Sequence, residues 1–472
     1  MADPILDLDY LATLPPEYNE DLLPHIQQEL KDSSYKVVVL DDDPTGTQTV
    51  RDIPVLTSWN VDELEAELKG PFPAFFILTN SRSLTEGKAC DLAVEIGTTL
   101  KQASENTGIR IVVISRSDST LRGHFPSEVA ANARVLGKEN LPYLILPFFL
   151  EGGRYTINDI HYVKEGDKLI PAAQTPFAKD AAFGFSKSNL KYYIEEKTGG
   201  EIKADSVIGV SIDDIRIGGP GRVAEIFRSV PQGSACFVNA ASYRDMEVIV
   251  DALIKVEKQG YEFLYRSAAS FVRTRIGIDA GSGLLPGNEL VSDSDKGGLF
   301  VIGSYVPKTT TQVSTLFELT GIVQIEVQVS ALLKDETREQ EIARVVTRAE
   351  ETIHAGQDAA IFTSRSLVAG DDAESSLKIG QTVSDSLVKI VTDISVQPRY
   401  LVAKGGITSS DIATKALGIR KAMVIGQALP GVPAWRCGDE TRYPGTTYIV
   451  FPGNVGEDDA LAQIQKKVDL KR

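Results

Sequence analysis

Short apolar segments alternate with amphipathic helical patterns along most of the sequence, and this alternation constrains the fold more than any other feature. The segments are rich in valine, isoleucine, leucine and aromatic residues, as buried strands are. Strands that alternate with helices are typical of βαβ units, which build mostly parallel sheets. The sequence therefore predicts an α/β protein. The predicted strands are Val37–Leu40, Phe75–Leu78, Ile111–Ile114, Tyr143–Leu146, Val207–Ile212, Ala235–Asn239, Leu299–Ile302, Val323–Val329, Ala359–Phe362, Tyr400–Val402, Met423–Ile425 and Tyr448–Phe451.

Two series of strands and helices follow one another, separated by a segment of different composition. A chain of 472 residues is too long for a single hydrophobic core. Residues 281–298 read GSGLLPGNELVSDSDKGG, a composition typical of a linker. We therefore predict an N-terminal domain over 1–282, a linker over 283–297 and a C-terminal domain over 298–472. Two α/β domains joined in this way predict an active-site cleft between them.

Charge and hydropathy argue against several classes of function. The net charge is −16, whereas nucleic-acid binding needs a basic surface, so we do not expect nucleic acid as a partner. The longest strongly apolar run, Leu141–Leu150, is too short to span a bilayer, and the N-terminus lacks the pattern of a signal peptide. The cysteines and histidines show no metal-binding spacing. We expect a cytoplasmic protein without a membrane partner.

Charged residues follow three predicted strands of the first domain. Asp41, Asp42 and Asp43 follow Val37–Leu40, and similar charged or polar loops follow the next two strands. The carboxyl ends of parallel strands lie at one edge of a sheet, where α/β proteins bind ligands. Arginines bind carboxylates in a bidentate manner and aspartates accept hydrogen bonds from hydroxyls, so this edge suits a small acid with several hydroxyls. The residues predicted to bind this substrate are Arg82, Arg116, Asp118, Arg122 and Arg154, the last from the glycine-containing segment EGGRYTIN.

Glycine-rich turns follow three predicted strands of the second domain. They contain Gly303-Ser304, Gly405-Gly406 and Gly453, and two of them lead into predicted helices. Such turns expose backbone N–H groups that can bind phosphate. None has the spacing of a P-loop or of a dinucleotide-binding fingerprint. One domain for a polyhydroxy acid and one for a phosphate-rich ligand is the layout of a kinase, which uses Mg²⁺ and a carboxylate.

Seven motifs, in order along nearly the whole chain, resemble those of the four-carbon acid sugar kinase family. The most specific is RSDSTLRG at 116–123, which is similar to the family motif K-x-D-S-T-x-R-G. The sequence departs from the family pattern at Asp41, Leu78, Arg116 and Phe451-Pro452, where the family has a lysine and a serine in the last case. The other motifs are LDDDPTG at 40–46, LTNSR at 78–82, GRYT at 153–156, VIGS at 301–304, GGITS at 405–409 and FPGNVG at 451–456.

The resemblance implies an ATP-dependent kinase that phosphorylates a terminal hydroxyl of a small sugar acid, such as a threonate, an erythronate or an oxo-tetronate. Asp42 and Asp43 are the predicted catalytic residues; the sequence does not decide which is the base and which orients the hydroxyl or holds Mg²⁺. The cofactors implied are ATP and Mg²⁺, and the resemblance implies a homodimer. The residues implied to line the ATP site are Ser304, Gly405, Gly406, Ile407, Thr408 and Gly453.

Two other functions fit parts of the sequence. Asp41-x-Asp43-x-Thr45 after an apolar strand also fits the DxDxT signature of haloacid-dehalogenase-type phosphohydrolases. In that class the first aspartate is the nucleophile and the second is the general acid or base, with Mg²⁺. A non-catalytic sugar-acid sensor with the same fold is the other alternative.

Overall fold

The computed structural model describes residues 3–43, 45–279, 283–304, 306–364, 373–453 and 455–469, with the backbone alone at 373–377. Pro44 and Asn454, which belong to two of the motifs, lie outside the described residues. The chain divides into two compact units. The first unit contains Met1–Gly46 and Ser58–Ser282, and the second contains Thr47–Thr57 and Gly283–Arg472.

The strands alternate with helices as the sequence predicts. The strands are β1 Leu6–Asp7, β2 Tyr35–Asp41, β3 Ile53–Leu56, β4 Ala74–Leu78, β5 Arg110–Arg116, β6 Tyr143–Leu146, β7 Arg154–Ile157, β8 Ile160–Glu165, β9 Lys168–Pro171, β10 Ile208–Val210, β11 Ala235–Val238, β12 Leu264–Ser267, β13 Leu299–Ile302, β14 Val323–Val327, β15 Ala359–Thr363, β16 Tyr400–Lys404, β17 Lys421–Leu429, β18 Val432–Cys437 and β19 Thr447–Phe451. The helices are α1 Leu23–Lys31, α2 Val61–Lys69, α3 Glu86–Thr107, α4 Ser127–Val135, α5 Leu190–Lys197, α6 Ile212–Arg216, α7 Gly219–Ser229, α8 Tyr243–Glu257, α9 Ala269–Arg275, α10 Pro307–Leu319, α11 Val329–Leu332, α12 Asp335–His354, α13 Ala373–Asp393, α14 Gly406–Asp411 and α15 Ala460–Asp469.

The first unit is built on a parallel sheet with the strand order β10-β11-β6-β12-β5-β2-β4. Val37, Val38 and Val39 of β2 are fully buried, because a central strand of such a sheet is covered on both faces. A separate antiparallel sheet with the order β1-β9-β8-β7 interrupts the alternation. Its strand β8 packs Val163 into a core with Phe125, Tyr193 and other residues of this unit.

The second unit combines a parallel and an antiparallel half in one sheet. The strands β19-β16-β13-β15-β14 are parallel, and β3-β17-β18-β19 are antiparallel. The predicted α/β class with mostly parallel sheets is confirmed. Within the described ranges, no helix is both long enough and apolar enough to cross a membrane.

Two segments lie in a different unit from the one that the sequence suggests. Residues 47–57, predicted in the first domain, belong to the second unit, because β3 pairs with β17 along Ile53–Leu56. Residues 283–297, predicted as a linker, are also part of the second unit. Leu285 and Leu290 are buried in its core, so the apolar residues of this polar segment anchor it.

Candidate functional site

The acidic strand end of the first unit lies where the strand order reverses. Within this unit, β4 follows β2 on one side and β5 returns to its other side, so that Asp41 is in register with both Leu78 and Arg116. Arg116 is in turn in register with Ser267 of β12. Open α/β sheets bind ligands outside the carboxyl ends of strands at such a switch point. The loops after β2, β4, β5 and β12 therefore start side by side.

Asp41 belongs to the strand rather than to the ligand-facing loop. Its side chain is 1% exposed, and Arg116 Nη1 lies 3.4 Å from its Oδ1. A Cβ atom at Gly46 would lie 1.7 Å from Asp41 Oδ2, so only glycine fits over this carboxyl group. Burial, opposed by Arg116 and reinforced by Asp42 and Asp43, raises the pKa of Asp41 to about 8. The group is therefore mostly protonated at neutral pH.

Asp42 and Asp43 occupy different environments although they are adjacent. Asp42 is 4% exposed; its Oδ2 accepts a hydrogen bond from Ser117 Oγ, and its buried Oδ1 has no hydrogen-bond partner among the described residues. Asp43 Oδ2 forms an ion pair with Arg82, and its Oδ1 accepts from Thr45 N at 2.8 Å. Burial acts to raise the pKa of Asp43, but the charge of Arg82 and the hydrogen bonds from Thr45 outweigh burial and lower this pKa below its usual value. Asp42 thus keeps an acceptor atom that makes no hydrogen bond within the described residues and lies 3.9 Å from Arg82 Nη2, whereas Asp43 is an ionised partner in closer contact with the same guanidinium group.

Asp118 connects two of the predicted arginines. Arg122 Nε donates to Asp118 Oδ2 at 2.7 Å, and Arg82 Nη1 lies 3.6 Å from Asp118 Oδ1. Burial acts to raise the pKa of Asp118, but these two guanidinium groups outweigh burial and hold the pKa well below its usual range. The structure therefore joins Asp42, Asp43, Asp118, Arg82 and Arg122 in one network of charges, which we call the acid-site network.

Arg116 and Arg154 lie beside this network rather than within it. Arg116 contacts Asp41, while Arg154 donates to the backbone of Gly152 and stacks over the ring of Phe177 at 5.8 Å. Arg122 stacks over the same ring at 5.1 Å. The buried Nε atoms of Arg116 and Arg154 have no hydrogen-bond partner in the described ranges. Phe177 thus holds two guanidinium groups side by side.

The loop after β5 has a backbone that few sequences can adopt. Leu121 has φ +70° and Gly123 has φ +119°, in the left-handed region that disfavours side chains. Leu121 is held there because its side chain packs into the core and its carbonyl oxygen accepts from Tyr193 Oη at 2.8 Å. A Cβ atom at Gly123 would lie 2.5 Å from Ser117 Oγ. The loop is fixed around the Asp42–Ser117 contact.

Several residues of this site escaped the sequence predictions. Arg266, in β12, donates a hydrogen bond to the backbone carbonyl oxygen of Arg122 at 2.6 Å. Like the predicted arginines, it lies near the end of a strand, and this position could have identified it from the sequence. His161 of β8 contacts Ser119 O at 2.7 Å and so ties the antiparallel sheet to the loop. Glu128 carries no motif. Burial raises the pKa of Glu128 to about 7. A hydrogen bond with Ser81 opposes this rise, and the negative charge of Asp42 adds to it.

A cavity of about 280 Å³ in the first unit is distinct from the acid-site network. It runs along β5 and is lined by Val112, Ser115, Val129 and Ile254 among others, with Glu128 at its wall. None of the network residues lines it. We assign no role to this cavity.

The three glycine-rich turns of the second unit meet at its own switch point. The order β14-β15-β13-β16-β19 reverses at β13, and Lys404 of β16 is in register with Ile302 of β13 and Phe451 of β19. A Cβ atom at Gly303 would lie 2.3 Å from Thr408 Oγ1, and one at Gly405 would lie 3.2 Å from Ser304 Cβ. The predicted residues Ser304, Gly405 and Thr408 are therefore packed together.

Thr309 and Lys404 join this group although the sequence did not single them out. Thr309 Oγ1 lies 3.1 Å from Ser304 Oγ and 3.4 Å from Gly453 O. Lys404 Nζ donates to Pro452 O at 2.7 Å and to Gly453 O at 2.9 Å. Of the remaining predicted residues, Ile407 is 67% exposed, and open space surrounds the position of a Cβ at Gly406. We call this group of loops the glycine cradle.

Among the described residues, no group of three or more histidine, cysteine, aspartate or glutamate side chains is arranged so that it could hold a metal ion. Of the three adjacent aspartates, Asp41 faces Arg116 and Asp43 faces Arg82, so their oxygens are engaged by cations of the protein. This donor set does not form a site for a resident metal ion. A Mg²⁺ ion bound largely by nucleotide phosphates and water needs only one or two protein carboxylates.

Comparison with known proteins matches both halves of the chain. The family model for a sugar-binding N-terminal domain matches residues 37–275, and that for a nucleotide-binding C-terminal domain matches residues 299–461. A Salmonella typhimurium LT2 protein, named provisionally as a tRNA synthase, has 15% identity and a TM-score of 0.66, over 92% of this chain and 99% of that one. Haemophilus influenzae protein HI1011, of family DUF1537, has 16% identity and a TM-score of 0.63, over 91% of this chain and 100% of that one. At these identities the likeness shows a shared fold. No curated protein matches the chain.

Proposed function

This chain belongs to the four-carbon acid sugar kinase family, and from that premise we propose that it transfers the γ-phosphoryl group of ATP to a terminal hydroxyl of a small sugar acid. One observation carries the proposal. Each unit gathers its predicted ligand-binding residues at a switch point of its sheet, charged side chains in the first and glycine-rich turns in the second. The chemical character of each switch point matches the domain to which it belongs.

The acid-site network supplies what a hydroxylated carboxylate requires. Arg82 and Arg122 provide planar arrays of donors for the carboxylate. Their charges are balanced by Asp43 and Asp118, which also fix their orientation. We assign Arg116 and Arg154 to the edge of the substrate site, where each has a buried, unpaired Nε atom within the described residues.

Asp42 is the better candidate for the group that orients or deprotonates the attacking hydroxyl. A general base must accept a hydrogen bond from its substrate, and Asp42 Oδ1 accepts no hydrogen bond in the described part of the chain, although Arg82 Nη2 lies 3.9 Å from it. Asp43 has both oxygens engaged by Arg82 and Thr45, and these contacts lower its pKa, which weakens it as a base. We therefore propose that Asp43 positions Arg82.

The glycine cradle supplies the nucleotide site. Its backbone groups and the hydroxyls of Ser304, Thr309 and Thr408 are suited to the polyphosphate. Mg²⁺ would arrive with the nucleotide and neutralise phosphate charge. ATP, Mg²⁺, a homodimer and a cytoplasmic location stay predictions.

Other functions have weaker support. A phosphohydrolase of the DxDxT class needs Asp41 as an exposed, ionised nucleophile. The Asp41 side chain is only 1% exposed, and burial raises its pKa, which disfavours the ionised form. This chain gives no support to the tRNA synthase name of the Salmonella protein, because a net charge of −16 opposes binding to nucleic acid.

The test is a coupled assay of ADP release with Mg·ATP over four- to six-carbon sugar acids. We expect release with at least one acid. Asp42→Asn is expected to lower kcat by about 10²- to 10⁴-fold, the usual contribution of general base catalysis, without weakening ATP binding. Asp91→Asn, an exposed carboxylate of α3 in the same unit, is the control and is expected to leave kcat unchanged.

The roles of the two acids separate in the same assay. Asp43→Asn is expected mainly to raise the KM for the acid, because it releases Arg82. A larger loss of kcat in Asp43→Asn than in Asp42→Asn would reverse the assignment. No ADP with any acid, but phosphate release from phosphate esters, would favour the phosphohydrolase. Calorimetric binding of an acid without either activity would favour the sensor.

A further inference from the structure

Lys404 is a fully buried lysine in the middle of the glycine cradle. Its side chain is 0% exposed, and it is the last residue of β16, directly before Gly405. Its Nζ atom lies 4.1 Å from the centroid of the Phe451 ring. The register places Lys404 between Ile302 and Phe451, so the ammonium group stands where all three glycine-rich turns begin.

The hydrogen bonds of Lys404 leave it without a counter-charge. Its two bonds go to the neutral carbonyl oxygens of Pro452 and Gly453. Among the described residues, no carboxylate lies within ion-pair distance of it. An ammonium group carries three donors, so one remains for a further acceptor. A buried charge without a paired ion is costly, and an anion bound to the remaining donor would offset that cost.

The charged groups around Lys404 strengthen this argument. Lys308, in the first turn of α10, is the titratable neighbour that acts on it, and it is also a cation. The ring of Phe451 and the two carbonyl groups are the other described groups that face the ammonium. Burial, with a smaller contribution from the positive charge of Lys308, lowers the pKa of Lys404 to about 7. Two cations without a carboxylate make a local site for a polyanion.

We propose that the Lys404 ammonium binds the phosphates of the nucleotide and holds the 451–453 turn in place against them. This inference rests on the proposed nucleotide site of the second unit and adds a residue to it. It also accounts for the Phe451-Pro452 departure. The family pattern has a lysine at the position of Phe451, and in this chain a lysine stands at the register-paired position on the neighbouring strand.

The proposal predicts a proton linked to nucleotide binding. A bound polyphosphate stabilises the charged form of Lys404, so above about pH 7 the protein must take up a proton when ATP binds. ATP affinity is then expected to fall as pH rises from about 7.5 to about 9, by at most about tenfold per pH unit. A lysine that only ties the turn together would give no such dependence.

The experiment is isothermal titration calorimetry of ATP and ADP with the full chain over this pH range. Lys404→Met is expected to weaken ATP binding by about ten- to hundredfold, the size of a lost charge-assisted hydrogen bond, and to abolish the pH dependence. Lys404→Arg is expected to bind ATP without that pH dependence, because arginine stays protonated. Lys467→Met is the matched control, since Lys467 is a partly buried lysine of the same unit that donates to the Ala428 carbonyl at 2.9 Å.

Each result decides the matter. Equal affinity of Lys404→Met and the wild type, or a wild-type affinity that is constant over the pH range, would overturn the inference while leaving the proposed function intact. A wild type that binds neither ATP nor ADP would overturn both. If Lys404→Met does not fold, the pH dependence of ATP affinity is compared between the wild type and Lys404→Arg. Any difference between these two proteins comes from residue 404, because the titration of ATP itself is common to both.

Discussion

Asparagine in place of Asp41 is expected to stabilise the first unit, and the gain is expected to grow with pH. Asp41 is 1% exposed, and burial raises its pKa from 3.8 to about 8. Between these values the native state holds a proton that the unfolded state has released. The free energy of unfolding therefore falls as pH rises. Asparagine has the shape of the protonated acid and can still accept from Arg116, so Asp41→Asn removes this loss.

The size of the effect follows from linkage. Each pH unit within the window costs about 1.4 kcal/mol, so from pH 5 to pH 7 the wild type loses about 2.7 kcal/mol relative to Asp41→Asn. For a unit of this size, 1 kcal/mol shifts Tm by about 2–4 °C. The difference in Tm between the two proteins is therefore expected to widen by about 5–11 °C over this range. Any native pKa well above 7 gives nearly the same slope.

Differential scanning calorimetry between pH 5 and pH 8 measures this difference, with attention to the transition of the first unit, since two units can unfold separately. Asp91→Asn is again the control, because its carboxylate is exposed on α3. An Asp41→Asn protein that is less stable than the wild type by the same amount at every pH would refute the reasoning. It would mean that Asp41 is ionised and paired with Arg116, and it would restore the charge that the phosphohydrolase mechanism needs.

Three further substitutions probe the loop after β5. Gly123→Ala is expected to reduce kcat/KM at least about tenfold, because the added methyl group would displace Ser117 from Asp42. Gly137→Ala is the control and is expected to keep activity, because Gly137 also has a positive φ (+69°) but has open space around the position of a Cβ atom. Arg122→Lys is expected to raise the KM for the acid by about tenfold or more, with the KM for ATP unchanged as the check. Burial lowers the pKa of His161 to about 4, so wild-type stability is expected to fall between pH 6.5 and pH 4 as the unfolded state takes up a proton; thermal scans of His161→Gln that show the same acid-side fall would contradict this.

The fold was predictable because its signals are local. Each strand of the parallel sheets is a short apolar run, and burial on both faces makes that run continuous in sequence. The exchange of residues 47–57 between units was not predictable. The pairing of β3 with β17 joins positions more than 360 residues apart, and nothing in the sequence Ile53–Leu56 distinguishes its partner from other strands.

The candidate sites were predictable in position but only partly in composition. Parallel strands end at one edge, so a sequence of strand ends already brings Asp42, Asp43, Arg82, Asp118 and Arg122 together. Partners inside that edge depend on register and on side-chain direction, which the sequence does not display. For this reason Arg266 was missed, and the same limitation concealed the ammonium of Lys404, which has no carboxylate partner in the described part of the chain.

The three adjacent aspartates illustrate how the fold divides similar residues among different tasks. Successive residues of a strand point to opposite faces, and the loop that follows turns away from both. Asp41 therefore remains within the sheet against Arg116, Asp42 faces Ser117, and Asp43 reaches Arg82. One acid is kept protonated by burial, one retains an acceptor atom, and one is held ionised by a cation. A kinase needs the second and third of these states, whereas a phosphohydrolase of the DxDxT class needs an ionised and accessible group at the first position. The ionisation of Asp41 is thus the measurable property on which the two mechanisms differ.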